Sequence, residues 1–486
     1  MVDFRLIKGK IEKYKLSSLI HNTLEVLKKC HREENNRFPF WHLLVLLKWS
    51  YLYTTDSVFR RKMQSHDMNE LLSLIDSFES TYLKDGFKTN IDLKRSFRIL
   101  IYQQSPYQDS FYNSIVDRQI ILFLKTESNY DIAMEFRNKT GIGLQDFFNY
   151  SYLLFIYVNA SDFDKRFKYD GILKDDFFKI FEDQFSKEEL NSFLNLISIK
   201  SPSDFDMLHK LGDEVLQLFE SNFYVTKPIL LFRNDFYLIH KAILVQSIKH
   251  FVYTFLKQNS DTFSTEFGKR VEKYIELGLK EIKIDYKNEK ELKRKYFLTK
   301  ISDYLVADDI LIECKAIELH PRSGVLRLPK IISNELDTSI TKAYCQLLST
   351  ANAIDKNKVW FGIIITYKEM YLGFGKDAWE EFLQKPVELF ALENSIELSI
   401  LPPENLFFID IEDWDWIIQS IKDKKATLKN ILTKARELNT SLDPAKAVFM
   451  MRQVLEKHFK IKRLTLSYLK DAHKEIDLVY QNLKEK

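Results

Sequence analysis

Apolar residues recur at helical spacing through the first part of the chain. Leu19, Ile20, Leu24 and Leu27 fall on one face, Phe40 to Leu47 is a more continuously apolar helix, and Met68 to Phe78 gives another. Asp146 to Val158 follows Gly141-Ile142-Gly143 and is apolar nearly all round, the pattern of an interior helix. Polar breaks at Arg32–Asn36, Lys84–Thr89, Asn159–Asp164 and Ser201–Asp204 set helix-hairpin lengths, and no internal repeat fixes a period. Residues 1–223 therefore read as an α-helical region, a sensor or partner-binding part with no catalytic signature.

From Tyr224 the texture changes. Val225 to Ile239 has the pattern of a hairpin turning at Asn234-Asp235, and an apolar helix follows from Lys241 to Lys257, so 224–260 is a connector. Asn259-Ser260-Asp261 breaks the chain and caps the next helix, which opens a domain at 261–420. Val359 to Thr366 is an apolar core strand. Ser399 to Ile411 gives a further strand with Leu401-Pro402-Pro403 at its loop, and Asp410 to Ile418, with Trp414 and Trp416, enters a helix. Residues 421–486 read as two charge-rich helices, Ala445–Phe459 and Leu464–Leu483, forming a packing or oligomerisation element.

Within 261–420, Tyr304-Leu305-Val306 is β-branched and aromatic, Ala307-Asp308-Asp309 is turn material, and Ile310-Leu311-Ile312 is apolar and of strand length. Folding this hairpin back brings Asp303 alongside Glu313. Residues i and i+2 of a strand share a face, so Glu313 and Lys315 point one way and Cys314 points into the packing. Two carboxylates this close repel, and burying one costs several kcal/mol unless it is paired or cation-bound. Hard oxygen ligands suit Mg²⁺, which takes one or two carboxylates and completes its shell with water and phosphate. A lysine beside such an ion would orient or help deprotonate an attacking water, or steady charge on a phosphate, the chemistry of phosphodiester hydrolysis. Asp308 and Asp309 read as turn residues. Glu318 and His320 sit just past the strand, where His320 reads either as a general base or, as a loop histidine more often is, as incidental.

Asp303 followed by Glu313-Cys314-Lys315 resembles the D…(D/E)xK signature of the PD-(D/E)xK nuclease superfamily. Phe267-Gly268-Lys269-Arg270-Val271-Glu272-Lys273-Tyr274-Ile275 is similar to the helix that supplies an acidic residue in many members, here Glu272. Thr341 to Leu348 resembles the helix that follows the catalytic hairpin and often carries a glutamine, here Gln346, which would face either the site or solvent. The order helix–hairpin–helix–strand agrees, from about Phe263 to about Ile418. The family's proline before the aspartate is Ser302 here, and an insertion, His320 to Leu336, precedes the Gln346 helix. The resemblance implies an α/β (α+β) restriction-endonuclease-like domain and a Mg²⁺- or Mn²⁺-dependent endonuclease. It implies that Asp303, Glu313 and the Cys314 carbonyl hold the metal. Lys315 would orient the water, and Glu272 would bind a second ion or act through water. DNA is the substrate it implies.

Composition narrows the partners. The net charge of +3 in 486 residues argues against a globally basic nucleic-acid coat, so any such contact must be local. Lys293, Arg294 and Lys295, and Arg322, Arg327 and Lys330 in the insertion, flank the hairpin. They read either as a solvated face interleaved with Glu289 and Glu291 or as a groove that tracks phosphates. Three cysteines without a CxxC exclude a disulfide framework and a Cys-based zinc site. With no signal-peptide pattern and no apolar run of membrane-spanning length, the expectation is a cytoplasmic protein with no membrane partner. A helical region joined to a nuclease also has the layout of a bacterial anti-phage effector, an analogy of architecture. The alternatives are a catalytically silent scaffold and a subunit that acts in a homo-oligomer or with a partner.

Overall fold

The structure is a computed structural model. It describes residues 3–31, 38–84, 98–104, 113–163, 172–173, 177–179, 185–205, 217–218, 223–297, 301–319, 329–441, 443, 448–461 and 463–484. The chain is mixed α/β and divides into two compact units. Met1–Val116 and Ala133–Asn259 build the first, and Asp117–Ile132 with most of the chain from Ser260 onward builds the second. The expected connector 224–260 thus falls in the first unit, and the C-terminal helices fall in the second. No described helix is long and apolar enough to cross a membrane.

The first unit is mostly helical. Its apolar Phe40–Tyr53 helix is buried from His42 to Tyr51, and Phe136, Phe147 and Phe251 pack ring against ring. The polar run at Asn159 does not break the helix Leu144–Phe163, because Asn159 Nδ2 donates back to the Phe155 carbonyl at 2.8 Å. The expected breaks at Arg32–Asn36 and, beyond Lys84, at Lys84–Thr89 lie outside the described residues. An all-helical reading of 1–223 missed two short strands, β1 (Ile172–Leu173) and β2 (Ser198–Ile199). They join β3 (Ile229–Phe232) and β4 (Asp235–Leu238) in a sheet of order β1-β4-β3-β2. Two-residue strands carry no periodicity of their own. The β3–β4 turn is Arg233-Asn234, both at positive φ, one residue earlier than expected, because Asp235 pairs with Phe232 in the ladder.

The second unit is built on five strands in spatial order: β5 (Tyr286–Asn288), β6 (Tyr304–Val306), β7 (Ile310–Lys315), β8 (Phe361–Thr366) and β9 (Leu406–Asp410). β5, β6 and β7 run antiparallel in turn, whereas β7, β8 and β9 are parallel. Parallel neighbours need a crossover, and helix Lys342–Asp355 provides the one between β7 and β8. The register puts Leu305, Leu311 and Glu313 on one face with Ile364 and Phe408. Leu305, Leu311, Ile364 and Phe408 pack there against Ala343, Leu347 and Leu348. The expected strand from Ser399 begins only at Leu406. Two 3₁₀ turns, Leu398–Ile400 and Pro403–Asn405, precede it, since Pro402 and Pro403 offer no ladder N–H. Of the expected helix Ala445–Phe459, helical residues begin at Met451, and Leu464–Leu483 is the helix Ser467–Lys484.

Helices α1 (Phe263–Glu281), α2 (Glu289–Tyr296), α3 (Lys342–Asp355), α4 (Ile411–Lys422), α5 (Leu428–Asn439) and α6 (Ser467–Lys484) surround the sheet. α1 and α4 approach so closely that a Cβ on Gly278 would stand 2.5 Å from Trp414 Nε1. Beside that contact Asp415, fully buried, takes Arg118 Nε and Nη2 at 2.9 and 2.7 Å, Tyr274 Oη at 2.8 Å and Tyr468 Oη at 2.8 Å. One carboxylate thus ties α1, α4, α6 and the helix Ser114–Ile120 together. Removing one partner of a buried ion pair strands the other charge. Asp415→Ala should therefore cost about 3–5 kcal/mol in chemical denaturation; a loss below about 1 kcal/mol would place the pair among solvated ones.

Candidate active site

The β6–β7 hairpin closes through Ala307-Asp308-Asp309, with Ala307 and Asp308 at positive φ. Asp308 and Asp309 stay at this turn, engaged by Lys287 at 3.6 Å and Lys429 respectively. At the opposite end of the hairpin, the last residues of β7 meet the chain entering β6. Asp303 Oδ2 accepts the Cys314 backbone N–H at 2.6 Å, so the aspartate is clamped across the hairpin rather than left on a loop. Glu313, only 1% exposed, accepts Lys315 Nζ at 2.6 Å on one oxygen and Gln346 Nε2 at 3.0 Å on the other. Cys314 is buried on the reverse face, as its alternate position requires.

Helix α3 does more than carry Gln346. Gln346 Nε2 also donates to the Ile301 carbonyl at 2.6 Å, and Thr350 Oγ1 accepts the Ser302 N–H at 2.9 Å. These bonds fix the backbone immediately before Asp303. On the other side, Tyr304 Oη donates to the Glu272 carbonyl at 2.9 Å, which sets α1 against β6. Structure thus brings Asp303, Glu313, Lys315 and Gln346 together, with Glu272 at the edge of the group. Glu272, Asp303 and Glu313 do not gather atoms within 4.8 Å of one another, the spacing at which one ion could touch all three.

Electrostatics follow from this burial. The Glu313 carboxyl is pushed up to about 8, first by burial and then by Asp303, against the opposing pull of Lys315. Glu272 rises to about 7 through burial and the Asp303 and Glu289 carboxylates. Asp303 rises to about 6 through burial, held back by the Cys314 N–H and by Lys315. Burial alone would lower the Lys315 ammonium, but Glu313 and Asp303 outweigh it and the net shift is upward. The cluster therefore holds three acids that resist ionising and one lysine that keeps its proton.

Sequence reasoning missed the part played by Glu289, at the first position of α2, whose charge bears on both Glu272 and Asp303. Its signal was present in the capping box that Asn288 forms with Glu291, which marks the helix start. Of the basic residues, Lys293 is paired with Glu289 at 2.6 Å, and Arg294 and Lys295 are exposed on α2. Arg322 and Arg327 lie outside the described residues, as does the side chain of Lys330 in the helix Pro329–Leu336.

Among the described residues, two other groups do gather ligand-type atoms within 4.8 Å: His42, Asp76 and Glu79 in the first unit, and Glu369, Asp410 and Asp413 in the second. Both are served by protein partners. Glu79 takes His42 Nε2 and Gln103 Nε2, each at 2.8 Å, whereas Asp413 takes Arg452 Nε at 3.1 Å and Asp410 caps α4. Comparison of the chain with family models, curated proteins and solved structures returned no match.

The raised carboxyls have a consequence for stability. Glu313 ionises near 4.5 ordinarily and near 8 when folded, so the folded state holds a proton that the unfolded state has released in between. Stability from this proton is complete below the lower value and is lost as pH rises through the upper one. In EDTA, Glu313→Gln should therefore raise the melting temperature relative to wild type more at pH 8.5 than at pH 5, read by differential scanning calorimetry; a pH-independent difference would contradict the assignment.

Proposed function

We propose that the chain is a divalent-metal-dependent nuclease whose second unit is a restriction-endonuclease-like domain acting on phosphodiester bonds, in the first instance of DNA. The observation that carries this reading is the meeting of Asp303, Glu313 and Lys315 at one end of the hairpin, with Gln346 from α3 on the same glutamate. The sheet supports it too: an antiparallel hairpin whose second strand continues, through a helix, into parallel β8.

The donor set fits a hard divalent cation. Buried carboxyls raised by burial and by one another lack positive charge, and Lys315 supplies only one. Asp303, Glu313 and the Cys314 carbonyl would hold the ion, with Glu272 standing further off and acting through water. Bound there, Mg²⁺ or Mn²⁺ would neutralise the carboxylates and polarise the phosphate.

The chain's own residues do the rest. Hydrolysis forms a bond from the water oxygen to phosphorus, breaks one ester P–O bond, and delivers a water proton to the leaving oxygen. Lys315 stays an ammonium, so it orients and stabilises rather than acting as the base. One of its three N–H donors is spent on Glu313, and the others remain for the attacking water and a phosphate oxygen. Gln346 holds Glu313 in place from the other side. The pairing of a helical unit with a cutting unit further suggests a defence effector, an argument from architecture alone.

The test is cleavage of plasmid and single-stranded DNA with Mg²⁺ or Mn²⁺ against EDTA. Lys315→Ala and Glu313→Ala should each lower the metal-dependent rate by about 100-fold or more. Folded wild-type protein that cleaves nothing with either metal, or cleavage untouched by both substitutions, would contradict the proposal and favour a silent scaffold.

A further inference from the structure

Helix α2 begins beside the acidic cluster and ends on an aromatic residue whose ring stands in solvent. Its first turn carries Glu289 and Glu291 and its last turn Lys293, Arg294 and Lys295, an order that suits the helix dipole. Leu292 is its buried residue. The helix terminates at Phe297, which adopts the left-handed conformation (φ 56°, ψ 32°) and donates its N–H to the Lys293 carbonyl at 2.9 Å.

Glycine or asparagine normally occupies that capping position, because a Cβ is unfavourable there. An aromatic side chain would be expected only if packing compensated for it. Phe297 is 91% exposed, so its ring packs on little of this protein. The left-handed residue ends the helix, as Lys283, Lys424 and Lys460 do after other helices of the chain; the large apolar ring in water is a cost that the fold does not repay. The surroundings are cationic and aromatic: Arg294 and Lys295 are exposed, and the Lys295 ammonium lies 5.1 Å from the Tyr296 ring centre. Glu289, at the other end of the same helix, acts on Asp303 and Glu272. The helix spans about 12 Å between the two ends.

We propose that Phe297, with Arg294 and Lys295, forms a stacking platform for the unpaired bases of a single-stranded nucleic acid, leading its backbone toward Asp303, Glu313 and Lys315. The second half of this statement rests on the nuclease reading; the platform itself does not. Stacking on a protein ring needs a base free of its duplex neighbours, and basic residues beside aromatic rings are the chemistry that holds single strands without regard to sequence. The bases of an intact duplex offer no such face.

Binding is measured by fluorescence anisotropy of the full chain in EDTA, with labelled oligothymidylate, oligouridylate and a DNA duplex of equal length. Phe297→Ala should weaken single-strand binding by roughly 5- to 100-fold and leave duplex binding unchanged, while Phe297→Trp should retain it. Phe297→Gly separates fold from function: it should lose binding as the alanine variant does, with an unchanged or higher melting temperature. Loss on the DNA strand, the RNA strand or both supports the platform and identifies its ligand. Binding indifferent to Phe297→Ala, or weakened equally on the duplex, overturns it. Single-strand binding through Phe297 in a protein that cleaves nothing would overturn the nuclease reading alone. A nuclease indifferent to Phe297 would overturn this inference alone.

Discussion

A carboxylate taken out of water must find a cation, a hydrogen-bond donor or a proton, and this constraint organises the second unit. Glu313 sits at the end of β7, beneath α3, with Lys315 and Gln346 as its donors. Those donors do not suffice, since burial and Asp303 still hold its carboxyl up near 8. Glu272 and Asp303 share the same excess of negative charge. In Asp415 the chain shows how a buried carboxylate is satisfied when the purpose is structural: an arginine and two tyrosines close around it. Burial raises the Asp415 carboxyl as well, but it has an arginine to itself. Glu272, Asp303 and Glu313 instead share the single ammonium of Lys315, an excess of negative charge that a bound cation would relieve.

The surrounding elements serve that cluster. The positive-φ turn at Ala307-Asp308 sets the hairpin register, and the register places Asp303 opposite the end of β7. Gln346 and Thr350, one helical turn apart on α3, hold the backbone on either side of the Ile301–Ser302 peptide. From the other face, Tyr304 reaches the backbone of α1 at Glu272, and Gly278 lets α1 lie close against α4. The cluster therefore rests on rigid elements rather than on loops, as a site with fixed geometry must.

Much of this was legible in local sequence. The hairpin could be read because two apolar runs of strand length flank a polar turn within Asp303–Lys315. The shared side of Glu313 and Lys315 followed from the two-residue period of a strand. What stayed hidden depended on the third dimension. Gln346 could have faced solvent until the α3 crossover fixed its direction, and Thr350 carries no local mark of its bond to Ser302. The two-residue strands β1 and β2 exist only because β3 and β4 pair with them. Arg118 and Asp415 are far apart in sequence, so neither signals the other. At the entry to β9 local chemistry overrides the apolar pattern, since Pro402 and Pro403 hold the strand back to Leu406.

The central claim is that the Asp303–Glu313 cluster is a cation site kept partly protonated until the cation arrives. Isothermal titration calorimetry of Mn²⁺ into the protein, in two buffers of different ionisation enthalpy near pH 7, tests it directly. A cation that displaces protons from raised carboxyls should bind with net proton release, seen as a buffer-dependent heat, and both the binding and the release should vanish in Glu313→Gln. Absence of Mn²⁺ binding by the folded protein, or binding that survives Glu313→Gln unchanged, would contradict the account.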